Sequence, residues 1–161
     1  MAFASARAAV VYTGTTRGVV RAWKERALRR IAPVAAGLVV DELARPAAHV
    51  ITYIPPDGDR SLRRGHHPAC ELARELASAW DLELCCLLAR TRPLERQARL
   101  SLTERRRNVR GAFRSAERVP AQVVLVDDVY TTGATANAAS TALRAGGARR
   151  VEVVTFARAV R

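Results

Sequence analysis

Thirteen consecutive residues, Val123-Val124-Leu125-Val126-Asp127-Asp128-Val129-Tyr130-Thr131-Thr132-Gly133-Ala134-Thr135, carry the most legible chemistry in this chain. Four apolar residues lead to two adjacent carboxylates, and a Thr- and Gly-rich turn then opens an Ala-rich stretch. Thr131 to Thr135 are expected at a helix N-terminus, where free N–H groups and the helix dipole favour an anion. The Thr hydroxyls add donors, and Gly133 lets the backbone approach closely. Asp127 and Asp128 repel phosphate but suit the vicinal hydroxyls of a ribose. The implied ligand is a ribose carrying a 5′-phosphate.

Elements that deliver such a loop can be read around it. Val123 to Val126 shows no alternation, the habit of a strand covered on both faces in a parallel sheet. Ala134 to Ala145 reads as the helix that follows, Gly146-Gly147 as its stop, and Val151 to Phe156 as the last strand. Upstream, Ala8 to Tyr12 reads as a strand and Thr15 or Thr16 as the cap of a helix reaching about Arg30. Pro33 to Leu43 is a second helix, and Val50 to Ile54 a strand ended by the turn residues Pro55 to Asp59. Ala69, Leu72, Ala73, Leu76, Ala77 and Trp80 recur at three- and four-residue intervals and form one helical stripe. Leu84 to Ala89 reads as a further strand. The polar stretch Arg90 to Arg118, broken by Pro93, holds a capping-box pattern at Ser101 and Glu104 for one short helix.

Strands alternating with helices predict an α/β fold with a mostly parallel central sheet flanked by helices. Ligands in such sheets lie beyond the carboxyl ends of the strands. That rule gathers three loops into one site: Pro55 to Arg64, Arg90 to Arg118, and Asp127 to Thr135.

The 161 residues are expected to form one domain, 49% apolar and 5% aromatic. No stretch approaches the ~20 apolar residues of a membrane helix, and the N-terminus lacks the pattern of a signal peptide. A cytoplasmic protein is expected. Cys70, Cys85 and Cys86 contain no C-x-x-C pair, which excludes a zinc ribbon or disulfide framework, and Cys85-Cys86 are expected in a strand core. The formal net charge is +12, with Lys24 the only lysine. From Arg90 to Arg118 ten arginines face Glu95, Glu104 and Glu117, a local +7. Concentrated positive charge favours a polyanion, either a pyrophosphate or a nucleic-acid backbone.

The acid-acid and Thr-Thr-Gly-x-Thr run resembles the phosphoribosyl-pyrophosphate (PRPP) motif of type I phosphoribosyltransferases. Within that superfamily the chain looks most like the ComF branch, the competence-associated amidophosphoribosyltransferase-like proteins. Tyr12-Thr13-Gly14 with Lys24, Ile54-Pro55 with Arg63-Arg64-Gly65, and Gln97, Leu100, Arg105, Asn108 and Gly111-Ala112-Phe113 resemble that family's elements. Gly146-Gly147-Ala148 and Ala157-Arg158 fit its C-terminal end. The family's four-cysteine zinc ribbon has no counterpart here. His66-His67-Pro68 stand where the family shows an aromatic, Asn and Gln, and Arg99 replaces a small residue. The two histidines are expected at a helix start or on the surface.

The resemblance implies a small N-terminal hood, Ala8 to about Ala44, which would hold acceptor specificity, and a core, 45–161, with a flexible basic loop over 90–118. It implies transfer of phosphoribosyl from PRPP to a nitrogen acceptor, through a transition state resembling an oxocarbenium ion. Asp127 and Asp128 would bind the ribose diol directly or through Mg²⁺, which PRPP requires as counter-charge. Thr131, Thr132, Gly133, Ala134 and Thr135 would cradle the 5′-phosphate. Arg63 or Arg64 would meet the pyrophosphate, and Arg90, Arg92 and Arg105 are candidate contacts of a lid. Two other readings stand beside this one. One is a DNA-uptake protein that grips single-stranded DNA on the Arg90 to Arg118 face, although Phe113 is the only aromatic there for stacking. The other is a PRPP-sensing regulator without turnover. A homo-oligomer or a partner from the competence machinery is compatible with each.

Overall fold

The computed structural model describes residues 1–56, 66–92 and 111–160. Its centre is a five-stranded, all-parallel sheet built from β1 (Ser5–Val11), β2 (Val50–Tyr53), β3 (Glu83–Leu84), β6 (Gln122–Tyr130) and β7 (Arg150–Arg158). The strand order is β1-β7-β6-β2-β3. β6 lies in the middle, with Val123 to Val126 all buried. The uninterrupted apolar run follows from this position, because alternate residues meet cores on opposite faces of the sheet.

One face packs α1 (Gly14–Arg26), α2 (Ile31–Glu42) and α3 (Pro68–Trp80) against Ile51, Val124, Val126, Val154 and Phe156. The opposite face packs α4 (Ala134–Ala145) against Val50, Val123, Leu125, Val151 and Val153. The segment expected as a hood thus contributes β1 to the sheet edge and lays α1 and α2 over one face. Trp23 of α1 is fully buried and meets Phe156 edge-on at 6.3 Å.

α3 matches its predicted stripe: Ala69, Leu72, Ala73, Leu76, Ala77 and Trp80 are all buried. Its start is set by His67, whose Nδ1 accepts the Cys70 N–H at 3.1 Å, with Pro68 at the first helical position. Pro suits that place because its missing N–H has no helical partner there. The expectation of a helix-start histidine holds for His67, while His66 beside it is buried.

Three expectations need correction. Leu84 to Ala89 is not one strand: β3 ends at Leu84, and β4 (Leu88–Arg90) pairs antiparallel with β5 (Phe113–Ser115) in a separate two-stranded sheet. The Cys85 N–H still makes a ladder bond to the Ile51 carbonyl, and the chain leaves the main sheet after it because the Leu87 N–H turns to Thr52 Oγ1. Cys85 and Cys86 therefore lie between strands, Cys86 exposed, rather than in a strand core. The basic stretch 90–118 is not wholly loop. Arg90 and β5 anchor its ends on the α4 face, where Ala112 and Phe113 are buried. The short helix expected from Ser101 lies outside the described residues.

Candidate functional site

Because every strand of the main sheet is parallel, their carboxyl ends share one edge. β6 runs on to Tyr130, four residues beyond the predicted strand, so Asp127 and Asp128 are strand residues with alternating directions. Asp127 lies level with Thr155 of β7 and lines a small concavity with Tyr130, Thr131, Gly133, Ala134 and Thr135. Its Oδ1 accepts the Asp128 N–H at 2.9 Å. Asp128 lies on the other side, buried, with Oδ2 2.6 Å from Lys24 Nζ of α1. The acids thus divide the edge, one serving the loop and one the α1 side.

The loop turns sharply into α4. Gly133 caps that helix with φ +73°, and a Cβ there would overlap the Tyr130 hydroxyl. Thr132 Oγ1 accepts the Ala134 N–H at 3.3 Å, tightening the turn. Four of the five predicted cradle residues border one concavity, and the fifth, Thr132, faces an adjoining groove of about 620 Å³ along α4. Tyr130 is held edge-on to Phe3 at 6.3 Å and under Arg158 at 5.1 Å.

Electrostatics at this edge are tightly coupled. Burial, then the neighbouring Asp128 charge, pushes the Asp127 carboxyl up to about 7, against the pull of Lys24. Burial works against the Lys24 ammonium, yet Asp128, helped by Asp127, outweighs it and raises Lys24 overall. Burial lowers His67 to about 4; the Asp128 charge opposes this and Arg90 adds to it. His67 therefore senses both Asp128 and Arg90 and belongs to the same electrostatic neighbourhood.

Arg90 is brought to the mouth of the β2–α3 connection. Its Nε donates to the carbonyls of Pro55 and Pro56 at 2.9 and 3.0 Å, and its guanidinium stacks 4.9 Å from the Phe113 ring centre. Arg92 is exposed just beyond β4. Arg63, Arg64 and Arg105 lie outside the described residues. Sequence reasoning left Lys24 without a role, and it missed Glu71, which accepts the Trp23 indole N–H at 3.1 Å. A signal for Lys24 was present: it is the only lysine among 27 Lys and Arg residues.

Two carboxylates beside a helix-opening turn are ligands of the kind Mg²⁺ takes, one or two at a time with phosphate oxygens and water. Among the described residues no cluster of three or more His, Cys, Asp or Glu side chains forms a self-sufficient metal site. No described helix is long and apolar enough to cross a membrane.

A parallel sheet whose central strand ends in paired acids and a Gly-capped loop defines a domain of the type I phosphoribosyltransferase fold. Among solved structures, the allosteric regulatory enzyme of purine biosynthesis aligns with a TM-score of 0.54 and 25% identity, over 79% of this chain and 25% of that one. Glutamine PRPP amidotransferase from B. subtilis, complexed with ADP and GMP, aligns with a TM-score of 0.51 and 25% identity, over 77% of this chain and 26% of its own. Competence protein F of Haemophilus influenzae is 34% identical over 144 residues, 85% of this chain and 62% of that protein. DNA utilization protein YhgH of Salmonella typhi is 36% identical over 115 residues, 67% of this chain and 48% of that protein. The chain is homologous to these competence and DNA utilization proteins, and it spans roughly half to three-fifths of the length of the curated relatives it matches. No family model matches it.

Proposed function

We propose that this chain binds PRPP with Mg²⁺ and serves as a phosphoribosyltransferase-type domain acting on a nitrogen acceptor. The observation that carries the reading is the division of labour at the end of β6. Asp127 faces the Thr131–Thr135 concavity, while Asp128 stands beside it under the only lysine. Backbone N–H groups at the start of α4, with the Thr hydroxyls, would hold the 5′-phosphate. The carboxylates would accept the ribose hydroxyls or share Mg²⁺, whose part is to neutralise the pyrophosphate. Arg90 would add positive charge at the mouth. Holding the ribose while shielding the anomeric carbon from water is most of what such a transfer requires.

Support also comes from the B. subtilis neighbour, a PRPP amidotransferase by name. Calorimetric titration with PRPP and Mg²⁺, run beside the Asp127→Asn/Asp128→Asn double variant, tests the reading. Saturable binding by wild type and its loss in the folded variant are expected. A folded wild type that takes up no Mg·PRPP would refute it.

A second reading, DNA handling on the same scaffold, is favoured by the names of the homologues, which are competence and DNA utilization proteins. The same edge carries Arg17 over Tyr12 at 5.6 Å and Arg158 over Tyr130 at 5.1 Å. Single-stranded oligonucleotide binding that weakens steeply with salt would support it. Mg·PRPP binding without turnover on any nitrogen acceptor would favour a sensing role.

A further inference from the structure

Lys24 meets Asp128 from a braced position. Its side chain is 40% exposed and Asp128's only 11%, so the ammonium approaches the carboxylate from the solvent side. The preceding residue, Trp23, is fully buried and donates its indole N–H to Glu71 of α3. His66, with no exposed side-chain surface, stands between Glu71, 3.4 Å away, and the Lys24 carbonyl, 3.5 Å away. These contacts hold the last turn of α1 against α3 and deliver the lysine stem to the end of β6. Asp128 consequently has its counter-charge in place before any ligand arrives.

This has a consequence for what the site accepts. A divalent cation arriving alone must break the 2.6 Å ion pair or sit beside an ammonium that repels it. A cation carried by a polyphosphate brings anionic oxygens, to which the three ammonium donors can transfer as the metal takes the carboxylate. We propose that Lys24 makes the acidic end of β6 accept a divalent cation only together with an anionic phosphate ligand. The inference rests on the PRPP reading for its physiological ligand, though its test does not. It makes Lys24 a positioning and selectivity residue of α1, acting on Asp128.

The test is titration with Mn²⁺ alone, followed by the electron paramagnetic resonance of the free ion, and then equilibrium dialysis of Mn²⁺ with inorganic pyrophosphate, in which the protein-free compartment measures the metal that pyrophosphate holds by itself. Even at the dielectric constant of water, a unit charge a few Å from a divalent ion changes its affinity by about tenfold or more. Lys24→Met should therefore bind Mn²⁺ alone at least tenfold more tightly than wild type, and Lys24→Arg should behave like wild type. The gain should vanish when Asp127→Asn and Asp128→Asn are added. Wild type should bind Mn²⁺ more tightly with pyrophosphate than without, a comparison that needs no variant. Equal metal affinity of wild type and Lys24→Met, a gain that survives loss of both acids, or wild-type Mn²⁺ affinity indifferent to pyrophosphate overturns the assignment. If wild type ignores Mg·PRPP while Lys24→Met still gains Mn²⁺, the phosphoribosyl reading fails and the Lys24 assignment stands.

Discussion

Replacing Gly133 with alanine should destabilise the fold through two separable effects at one atom. Gly133 sits at φ +73°, a left-handed conformation that costs a residue with a Cβ about 1–2 kcal/mol. The added methyl would also fall on the Tyr130 hydroxyl, with the ring's Cζ only 2.7 Å away. That ring cannot swing freely, because Phe3 meets it edge-on and Arg158 covers it. Forcing such a packed group aside costs about 1–3 kcal/mol. Together the expected loss is about 2–5 kcal/mol, which lowers a urea midpoint by about 1–2 M at ordinary slopes. The assay is urea unfolding of four proteins: wild type, Gly133→Ala, Tyr130→Ala and the double variant. Removing the ring should leave only the backbone cost, so Gly133→Ala should take about 1–2 kcal/mol in the Tyr130→Ala background. An equal loss in both backgrounds would refute the steric half of the reasoning. A loss below about 0.5 kcal/mol in both would refute the backbone half as well.

Other perturbations follow from the same geometry. His67 is held near 4 when folded, so between about pH 6.5 and 4 the unfolded chain binds a proton there that the folded chain does not. Its contribution is present above pH 6.5 and fades as the pH falls. Asp127, held near 7, works in the opposite sense over part of this range, so the readout is wild type minus His67→Asn, a variant that keeps a capping side chain. That difference should shift by about 1–2 kcal/mol in the variant's favour from pH 7.5 to 4.5, and a flat difference would count against it. Trp23→Phe removes the indole N–H that Glu71 accepts and should cost about 1–3 kcal/mol in chemical denaturation. Leu143→Ala, at a fully buried position of α4, should cost about 2–5 kcal/mol. A Leu143→Ala loss under 1 kcal/mol would mean that α4 does not close that core.

Much of the architecture was legible where one physical signal dominated. α3 was read from apolar recurrence and α4 from an Ala-rich run stopped by a Gly pair; their observed bounds lie within a residue of those readings. The turn that opens α4 was legible because helix-start chemistry is local: Thr, Gly and a following Ala-rich run suffice to specify it. Misreadings came where the partner was distant. Leu84 to Ala89 is apolar throughout, but after the Cys85 ladder bond to β2 the Leu87 N–H turns to the side chain of Thr52, and the strand ends early. The pairing of Leu88–Arg90 with Phe113–Ser115 joins segments more than twenty residues apart across a polar stretch that shows no strand pattern.

By itself the sequence determined the parallel α/β architecture, the order of its main elements and the position of the acid pair and its loop. These depend on periodicity, chain direction and turn chemistry, all of which act between near neighbours. Only the tertiary structure decided how the acids are used. Strand alternation turns Asp127 toward the loop and Asp128 toward α1, and packing of Trp23 against Glu71 and Phe156 carries Lys24 to Asp128. Residues 24 and 128 share no local signal. Their meeting depends on the common core of α1, α3 and the sheet, and a buried carboxylate in that place requires a counter-charge.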